Sequence, residues 1–392
     1  NIDHEIVFAC DNGDVELKLL PKSDQKRFEL LKKAEKKGAL IDAELAELAN
    51  FRQTEANLIE EIRSNITTLP SKDAKREFVE SIYKKHSSQQ NYVKQSYFAN
   101  YDIDPKDFHL DICFFDGSDY NGKVDLLVGG SPCQSFSTVG KQLGFEDTRG
   151  TLFYEFARIV KEVQPKVFIY ENVNGLTKND DGRTLATIKH IFRDDLHYRV
   201  GEERVLNASD YGIPQTRRRM FIIGIREDIQ CGEFQYPEPI ERKYTMQDFL
   251  EENCADGSFT YDKNTGELIV GKVKGKPDPK FILTPGVQKY VLASGTKSFK
   301  TSTETDLPVA RTLLKTMTQH HRAGVDNYIT VQQDPKILRA LTDRETLRLM
   351  GYPDDFQMVV SSAQIYKQAG NSIVVDVMMA IVKQIIKTGA FN

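Results

Sequence analysis

The middle of the chain alternates between short apolar runs and a segment of helical periodicity, and this alternation constrains the fold most. The predicted elements lie at residues 124–128, 152–163, 166–170 and 220–225. Such alternation is typical of an α/β fold in which helices cover both faces of a parallel sheet. Functional residues in such sheets lie at the carboxyl ends of strands, and Cys133 and Glu171 each follow a predicted strand.

The N-terminal part of the chain has a different character. Residues 5–10 are predicted to form a buried strand, followed by a turn at Asp11-Asn12-Gly13. Residues 19–90 are rich in Lys, Glu and Ala, with apolar positions at helical spacing, so we interpret them as a helical insertion whose charges form a solvated face. Pro70 ends one helical pattern, and Ser71 could cap the next helix.

The strand–helix alternation is lost after about residue 228. Gly, Lys, Thr and Pro punctuate short segments up to residue 334, which indicates a second, irregular domain, and the final helix is predicted at 373–387. The predicted organisation is a large domain at 1–228 with the insertion at about 19–90, a smaller domain at 229–334, and a return to the large domain at 335–392. A length of 392 residues suits such a pair of domains.

Composition and charge exclude several classes of protein. The formal net charge of −4 gives no general attraction to nucleic acid, so a DNA-binding face must be a local patch. Five cysteines without paired spacing argue against a disulfide framework and for a reducing cytoplasm, and no spacing of Cys or His suggests a zinc site. The sequence predicts no signal peptide and no membrane-spanning run.

Cys133 is the sharpest chemical signal. It lies in the segment Gly129-Gly130-Ser131-Pro132-Cys133-Gln134-Ser135-Phe136-Ser137. A lone cysteine is usually a small buried hydrophobic residue. The glycine turn and the neighbouring proline at a strand end favour instead a thiol that is exposed to a cleft.

Two further segments place charged side chains next to predicted strands. Glu171 would enter an apolar, partly desolvated site, which raises the proton affinity of a carboxylate, although a helix-capping role is an alternative. Alternation along the strand that follows Gln215 points Arg217 and Arg219 to one face and Arg218 to the other. Two arginines on one face suit phosphate or a developing anion, and an edge strand kept soluble by charge is the alternative.

Together these segments resemble the DNA cytosine-5 methyltransferases, especially those of bacterial restriction–modification systems. The family's ordered motifs are present as Pro-Cys-Gln at Pro132, Glu-Asn-Val at Glu171, Gln-x-Arg-x-Arg at Gln215 and Gly-Asn-Ser at Gly370. Residues 144–153, 207–214 and 341–353 also look like family segments. The resemblance implies a Rossmann-like S-adenosylmethionine-dependent methyltransferase fold with a smaller, irregular target-recognition domain.

The resemblance also implies roles for the charged residues. Cys133 would add as a thiolate to C6 of cytosine, which makes C5 able to attack a methyl group. Glu171 would hold N3 and the exocyclic amine, Arg217 would contact the base's O2, and Arg219 would help to order the site. The target nucleotide must leave the duplex, and the loop from Ser135 to Arg149 would close over it.

The implied cofactor is S-adenosylmethionine, converted to S-adenosylhomocysteine. The family's cofactor contacts correspond here to Asp11, Asp111, Ile112, Leu152, Asn371 and Ser372. Asp11 departs mildly from the usual glutamate at the ribose hydroxyls. The family's Phe-x-Gly-x-Gly loop is absent from the sequence, and we expect it before Asn1 or from a partner chain.

The implied partner is double-stranded DNA, and no metal is expected. Predicted DNA contacts are Gln134, Ser137, Lys141, Arg149, Arg311, Thr312, Leu313, His320 and Arg322, with Lys272, Lys274 and Lys276 as a basic cluster for phosphate. A purely packing role for Thr312 and Leu313 is the alternative. We expect a monomer in the bacterial cytoplasm, associated with the nucleoid, whose insertion projects away from the catalytic cleft. A transfer-RNA methyltransferase of the same fold and a catalytically silent scaffold are the alternative functions.

Overall fold

The computed structural model describes residues 4–131, 152–296 and 299–392. Its α-helices are α1 (Lys22–Glu35), α2 (Asp42–Thr68), α3 (Lys72–His86), α4 (Tyr92–Asn100), α5 (Leu152–Val163), α6 (Arg183–His190), α7 (Pro285–Val291), α8 (Asp343–Arg348), α9 (Ser362–Asn371) and α10 (Val375–Thr388). Its strands are β1 (Ala9–Cys10), β2 (Phe108–His109), β3 (Leu126–Gly130), β4 (Val167–Val173), β5 (Tyr198–Val200), β6 (Arg204–Asn207), β7 (Arg218–Arg226), β8 (Phe259–Tyr261), β9 (Leu268–Val270), β10 (Gly295–Thr296), β11 (Phe299–Lys300), β12 (Tyr328–Gln333) and β13 (Lys336–Ala340).

A five-stranded sheet has the order β3-β4-β7-β5, with β6 paired antiparallel to β7. Its strands include those predicted from the apolar runs, shifted by one to three residues, and α5 has the predicted bounds. The first four residues of β4 are fully buried, as the continuous apolar run requires. Because β7 has neighbours on both sides, the interpretation of its arginines as the charges of a soluble edge strand is wrong.

The described chain divides into two compact units. The N-terminal unit comprises Glu5–Phe168 and Ala186–Tyr198, and the C-terminal unit comprises mainly Ile169–Leu185 and Arg199–Asn392. In the N-terminal unit α5 packs so closely on β3 that a Cβ added at Gly129 would lie 2.6 Å from the ring of Phe156. Only glycine fits this contact, which allows the helix to lie against the strand that leads to Ser131.

The N-terminal strand is shorter than predicted. Only Ala9 and Cys10 pair, in parallel, with Phe108 and His109 of β2, although the sequence predicts a strand over 5–10. The paired residues of β1 and β2 lie about a hundred positions apart in sequence. The local sequence pattern could therefore not predict how many residues of β1 pair with β2. The turn after β1 has Gly13 at φ +65°, as predicted for this segment.

The insertion is helical, as predicted. Its helices α1, α2 and α3 cover most of residues 22–86, and the Ser71 side chain accepts a hydrogen bond from the Ala74 backbone N–H at 3.2 Å, which caps α3. One apolar cluster joins α1 to α2: its buried members are Leu20, Phe28, Leu31 and Leu48.

A second apolar cluster shows that the insertion does not simply project from the unit. Ile66 of α2 and Val79 and Tyr83 of α3 pack with Val15 and Phe114. Salt bridges join the insertion to the same region, from Lys72 to Asp107 and from Lys75 to Asp116 and Asp119. The expectation of a projecting insertion is therefore corrected for the N-terminal unit, because α2 and α3 pack against the chain on both sides of Asp111.

The segment between 228 and 334 is irregular, as its turn-rich sequence predicts. It contains two-residue and three-residue strands in the pairs β8-β9 and β10-β11 and the short helix α7. A buried arginine ties it to the chain that follows. Arg348 pairs through two nitrogens with Asp354 and donates to the Phe249 and Cys254 carbonyls. The domain boundaries at 229 and 334 remain a prediction.

Two compositional expectations bear on the described residues. Cys10, Cys113, Cys231 and Cys254 are free thiols, and no group of His, Cys, Asp or Glu in the described part of the chain is arranged to hold a metal ion. The segment Ser362–Thr388 is long and apolar enough to cross a membrane by length and composition. The sequence prediction overlooked it, but the chain divides there into α9 and α10, and Asp376 lies in the first turn of α10.

Asp376 takes part in a contact that cannot be satisfied by a carboxylate. In the C-terminal unit the Tyr261 hydroxyl oxygen lies 2.8 Å from the Gly351 carbonyl oxygen and 2.7 Å from Asp376 Oδ2. One hydroxyl proton can serve only one of these two acceptors. Both contacts become hydrogen bonds when Asp376 is protonated and donates to Tyr261. Burial raises the pKa of Asp376 to about 7, and a hydrogen bond from Tyr261 would lower it only if it were donated to the ionised carboxylate.

We predict that Asp376→Asn removes a pH dependence of stability. The folded-state pKa of Asp376 lies above that of an unfolded aspartate, so the stability gained from its proton is full below about pH 4 and is lost as the pH rises through 7. Between pH 5 and pH 8 this loss should be about 2–3 kcal/mol. Urea unfolding at both pH values measures it in the wild type and in Asp376→Asn. An equal pH dependence in both proteins would contradict the assignment.

Candidate active site

Glu171 lies in β4, directly after four fully buried residues. Its Oε1 lies 2.9 Å from Nε of Arg219 in β7. The expectation that Glu171 caps a helix is wrong, because Val173 precedes the next helical turn and Glu171 is still part of the strand. The two neighbouring strands of the sheet thus place the carboxylate and the guanidinium side by side.

Burial dominates the electrostatics of this pair. Desolvation raises the pKa of Glu171, and the charges of Arg219 and Arg217 only reduce that shift. Burial likewise lowers the pKa of Arg219, and the Glu171 carboxylate reduces that shift. A carboxyl group in this environment can hold or donate a proton nearer to neutral pH than an exposed glutamate can, which is the property expected from its sequence context.

Arg217 directly precedes β7 and is 2% exposed, whereas Arg218 is exposed, which is the difference that alternation predicts. Its Nη1 donates to the Leu313 carbonyl at 3.1 Å, and its Nη2 donates to the carbonyls of Gly370 at 2.9 Å and Ser372 at 2.7 Å. Burial and the neighbouring Arg219 lower the pKa of the Arg217 guanidinium. The side chain therefore joins three separate segments of the C-terminal unit.

One nitrogen of the Arg217 guanidinium makes none of these bonds. This nitrogen, Nε, is buried and has no hydrogen-bond acceptor among the described residues. A buried N–H without a partner is costly and rare, so this donor is available to an acceptor beyond the described residues.

The Gly370-Asn371-Ser372 segment is held closely from both sides. A Cβ added at Gly370 would lie 2.2 Å from the Lys315 backbone nitrogen, which leaves room only for glycine. The Ser372 hydroxyl lies 2.7 Å from the Tyr352 hydroxyl, and Asn371 is exposed at the end of α9. Two of the predicted cofactor residues therefore lie beside the Arg217 contacts.

In the N-terminal unit, Asp11 and Asp111 follow the carboxyl ends of the paired parallel strands β1 and β2. The Asp11 backbone N–H donates to the His109 carbonyl at 3.1 Å, and the Asp11 Oδ1 accepts from the Gly13 N–H at 2.7 Å. The Asp111 carboxylate caps the short helical turn Ile112–Phe114, and Leu152 begins α5. Adjacent strand ends with acidic side chains are where doubly wound folds bind nucleosides.

Sequence reasoning missed several residues that hold these segments. Gln215 is fully buried: its Nε2 donates to the Leu349 carbonyl at 2.6 Å, and its Oε1 accepts from the Leu313 N–H at 3.1 Å. Tyr83 and Arg63 of the insertion and Arg158 of α5 contact the Asp111–Cys113 segment. The only available signal was the i, i+3 and i, i+4 spacing of Glu155, Arg158 and Glu162 on one helix.

The predicted DNA-reading residues of the C-terminal unit are largely engaged within it. Arg311 donates to the Ala323 carbonyl and pairs with Glu304, and the Thr312 hydroxyl donates to the Thr216 carbonyl. Leu313 is 1% exposed, so the packing alternative describes its side chain. His320 has a left-handed backbone at φ +49°, and the Arg322 guanidinium lies 5.2 Å from the ring centre of Tyr290. A role in base reading remains a prediction for this set.

The remaining predicted residues lie outside the described part of the chain. They are Cys133, Gln134, Ser137, Lys141 and Arg149.

We predict that Arg217→Met destabilises the protein by about 3 kcal/mol or more, because it removes a buried charge and leaves three carbonyls without their donor. The neighbouring Arg218→Met is the matched control, since Arg218 is exposed, and it should change the free energy of unfolding by under ~0.5 kcal/mol. Urea unfolding of both variants provides the comparison. Equal effects would show that the Arg217 contacts contribute little.

Comparisons with known proteins bear on the family of the chain. The family model for C-5 cytosine-specific DNA methylases matches residues 52–387. The type II methyltransferase M.HpaII of Haemophilus parainfluenzae is 35% identical over 273 residues, which are 68% of this chain and 72% of that protein. M.PspPI of Psychrobacter sp. (strain TA137) is 38% identical over 295 residues, which are 71% of this chain and 67% of that protein.

Among solved structures, the S. pombe Dnmt2 methyltransferase superposes with a TM-score of 0.54 at 17% identity, and the match covers 76% of this chain and 88% of that one. That likeness shows the fold, which is the Rossmann-like methyltransferase fold predicted from the sequence. From the extent of the family match and the identity to its relatives, the chain belongs to the C-5 cytosine-specific DNA methylase family.

Proposed function

We propose that the protein is a DNA (cytosine-5)-methyltransferase of the type II restriction–modification kind, with S-adenosylmethionine as methyl donor. The observation that carries the proposal is the cluster of Glu171, Arg219 and Arg217. In it a carboxyl group of raised pKa lies beside a guanidinium and near a buried N–H that has no acceptor among the described residues. The named relatives, M.HpaII and M.PspPI among them, are type II methyltransferases.

The residues divide the chemistry between them. The Cys133 thiolate adds to C6 of the flipped cytosine, and the electron pair displaced from the C5–C6 bond makes C5 nucleophilic. The raised pKa of Glu171 lets it share a proton with N3 as negative charge develops on the ring. The Arg217 Nε–H donates to the base's O2, and Arg219 holds the Glu171 carboxylate in place. Loss of the C5 proton to a base then lets the thiolate leave.

The N-terminal unit offers groups that fit the cofactor. Asp11 and Asp111 place carboxylates at neighbouring strand ends, and a carboxylate there accepts hydrogen bonds from ribose hydroxyls or an adenine amine. In the family pattern Ile112, Leu152, Asn371 and Ser372 complete the contacts. When bound, the sulfonium of S-adenosylmethionine supplies the methyl group that C5 attacks.

Residues 229–334 are proposed to recognise duplex DNA. Arg311, Thr312, His320 and Arg322 lie in or beside short turns of this segment, and the Lys272, Lys274 and Lys276 side chains are exposed and free to approach phosphate. We propose a monomer acting on the nucleoid of a bacterial cytoplasm, in line with the bacterial relatives.

We predict that Cys133→Ser abolishes methyl transfer but keeps DNA binding, because a serine hydroxyl is a far weaker nucleophile at neutral pH. Duplex DNA containing 5-fluorocytosine should trap the wild type covalently, since fluorine cannot leave as the C5 proton does. Incorporation of labelled methyl groups and mass spectrometry of the trapped peptide measure both effects.

Cys231→Ser provides the matched control and should retain full activity, as Cys231 is a free thiol of the C-terminal unit outside the cluster. A crosslink that maps to any residue other than Cys133 would exclude the mechanism. Parallel assays with duplex DNA and transfer RNA decide the substrate, and methylation confined to transfer RNA would favour the alternative enzyme.

We predict that exchange of residues 229–334 with the corresponding segment of a relative of different specificity transfers the recognised sequence. The reason is that base reading needs side chains presented by this segment, whereas the catalytic cluster lies on β4 and β7. Methylome sequencing of DNA exposed to each hybrid, and to the reciprocal hybrid, gives the result. An active hybrid that keeps the original site would place recognition elsewhere.

A further inference from the structure

The segment from Asp111 to Cys113 is held by three side chains, two of which come from the insertion. The Ile112 carbonyl accepts from Arg158 Nη2 of α5 at 2.6 Å. The Cys113 carbonyl accepts from Arg63 Nε of α2 at 2.8 Å. The Asp111 Oδ2 accepts from the Tyr83 hydroxyl of α3 at 2.7 Å. The insertion therefore fixes both the backbone and the carboxylate of this segment.

The two arginines that make these contacts also form ion pairs, and they share one buried glutamate. Arg63 and Arg158 both pair with Glu155, whose side chain is almost completely buried in α5. Arg158 also pairs with Glu162. Since each buried charge has an opposite charge beside it, the two guanidinium groups stay in place to hold the carbonyls of Ile112 and Cys113. Helix α2 is thus joined to α5 through the segment that carries Asp111.

The Asp111 carboxylate is oriented through both of its oxygens. Oδ1 accepts the Cys113 backbone N–H at 2.8 Å, and Oδ2 accepts the Tyr83 hydroxyl. The Cys113 thiol also hydrogen-bonds to this carboxylate. A carboxylate has about four acceptor positions, so three donors leave about one for a further donor. Tyr83 is 8% exposed and packs between Val79 and Phe114, which fixes the direction from which its hydroxyl donates.

We propose that Tyr83 is a positioning residue for the cofactor: it orients the Asp111 carboxylate to accept the exocyclic amine of adenine, and the inserted helices are a structural part of the cofactor site. The inference rests on the proposed function, because it takes Asp111 as the adenine contact. It assigns a role to residues 22–86 that the family pattern does not contain. It also replaces the view of the insertion as a peripheral projection.

The chain contains a matched control for this hydrogen bond. The Tyr120 hydroxyl donates to Asp107 Oδ1 at 2.7 Å in the same unit and also lies 2.7 Å from His109 Nε2, but Asp107 is not a predicted cofactor contact. Tyr83→Phe and Tyr120→Phe each remove one hydroxyl from a buried tyrosine that serves an aspartate. Any general cost of losing such a bond is therefore shared by the two variants.

The test is the affinity of the full chain for two cofactor products, measured by calorimetry. S-adenosylhomocysteine carries the 6-amino group, and S-inosylhomocysteine carries a 6-oxo group in its place, which cannot donate to Asp111. Tyr83→Phe should weaken binding of the adenine compound about tenfold, the loss expected for one hydrogen bond to a charged group. Binding of the inosine compound should change by less than about threefold, as should both affinities in Tyr120→Phe.

The possible outcomes distinguish failure of this inference from failure of the proposed function on which it rests. Equal weakening of both compounds, or unchanged affinity for S-adenosylhomocysteine, overturns the positioning role of Tyr83. Wild-type protein that binds neither compound even with the family's glycine-rich loop present argues against the proposed function itself. In an Asp111→Asn background, Tyr83→Phe should have no further effect on the ratio of the two affinities, and a persisting effect would also overturn the inference.

A measurement on the wild type makes the test independent of how the variant folds. Saturating S-adenosylhomocysteine should slow amide hydrogen exchange in α3 as well as in residues 111–115, because the hydroxyl of Tyr83 couples the helix to the carboxylate. Slower exchange confined to residues 111–115 would show that the insertion does not respond to the cofactor and would overturn the proposal.

Discussion

The buried guanidinium of Arg217 is the interaction on which the C-terminal unit depends most. It joins the strand segment before β7 to backbone carbonyls at Leu313 and at Gly370 and Ser372, which lie 96, 153 and 155 residues further along the chain. Removing a charge from water is costly unless its donors find acceptors, and here carbonyl oxygens supply them. The Nε of the same arginine has no acceptor among the residues that the structure describes. The Arg217 side chain therefore holds distant segments together and also carries the donor that the proposed function uses.

The arrangement explains why Glu171 and Arg219 can lie so close to an apolar core. Glu171 directly follows the buried residues of β4. Arg219 lies in β7 and follows Arg217, which is buried, and Arg218, which is exposed. The carboxyl group gains stabilisation from a guanidinium but loses more from desolvation, so its pKa rises. A site of this kind can shift a proton with little movement of the protein, because strand geometry already fixes both partners.

Local sequence patterns predicted the parts of the fold that local physics determines. The amphipathic period of α5 predicted its described span, and strand alternation predicted that Arg217 is buried where its neighbour Arg218 is exposed. The cap at Ser71 and the helical nature of the insertion followed from similar signals. The family motifs added the identity of the candidate site residues, which no periodicity could have provided.

Long-range contacts account for most of what the sequence could not predict. The length of β1 depends on a partner strand about a hundred residues away, and the role of Glu171 depends on Arg219, 48 positions later, rather than on the turn that follows it. Tyr83 and Arg63 carried no signal at all, because their partners near Asp111 are defined only by the packing of α2 and α3. Buried contacts between distant segments leave no periodic trace in the sequence.

The close approach at Gly370 has a mechanical consequence. Its backbone lies against Leu314 and Lys315 with no space for a side chain, so the two stretches cannot slide past each other. The bonds from Arg217 to both stretches resist their separation. A displacement of the backbone at Lys315 would therefore shift Gly370–Ser372 with it. A movement in the irregular segment would reach the end of α9 through this direct backbone contact.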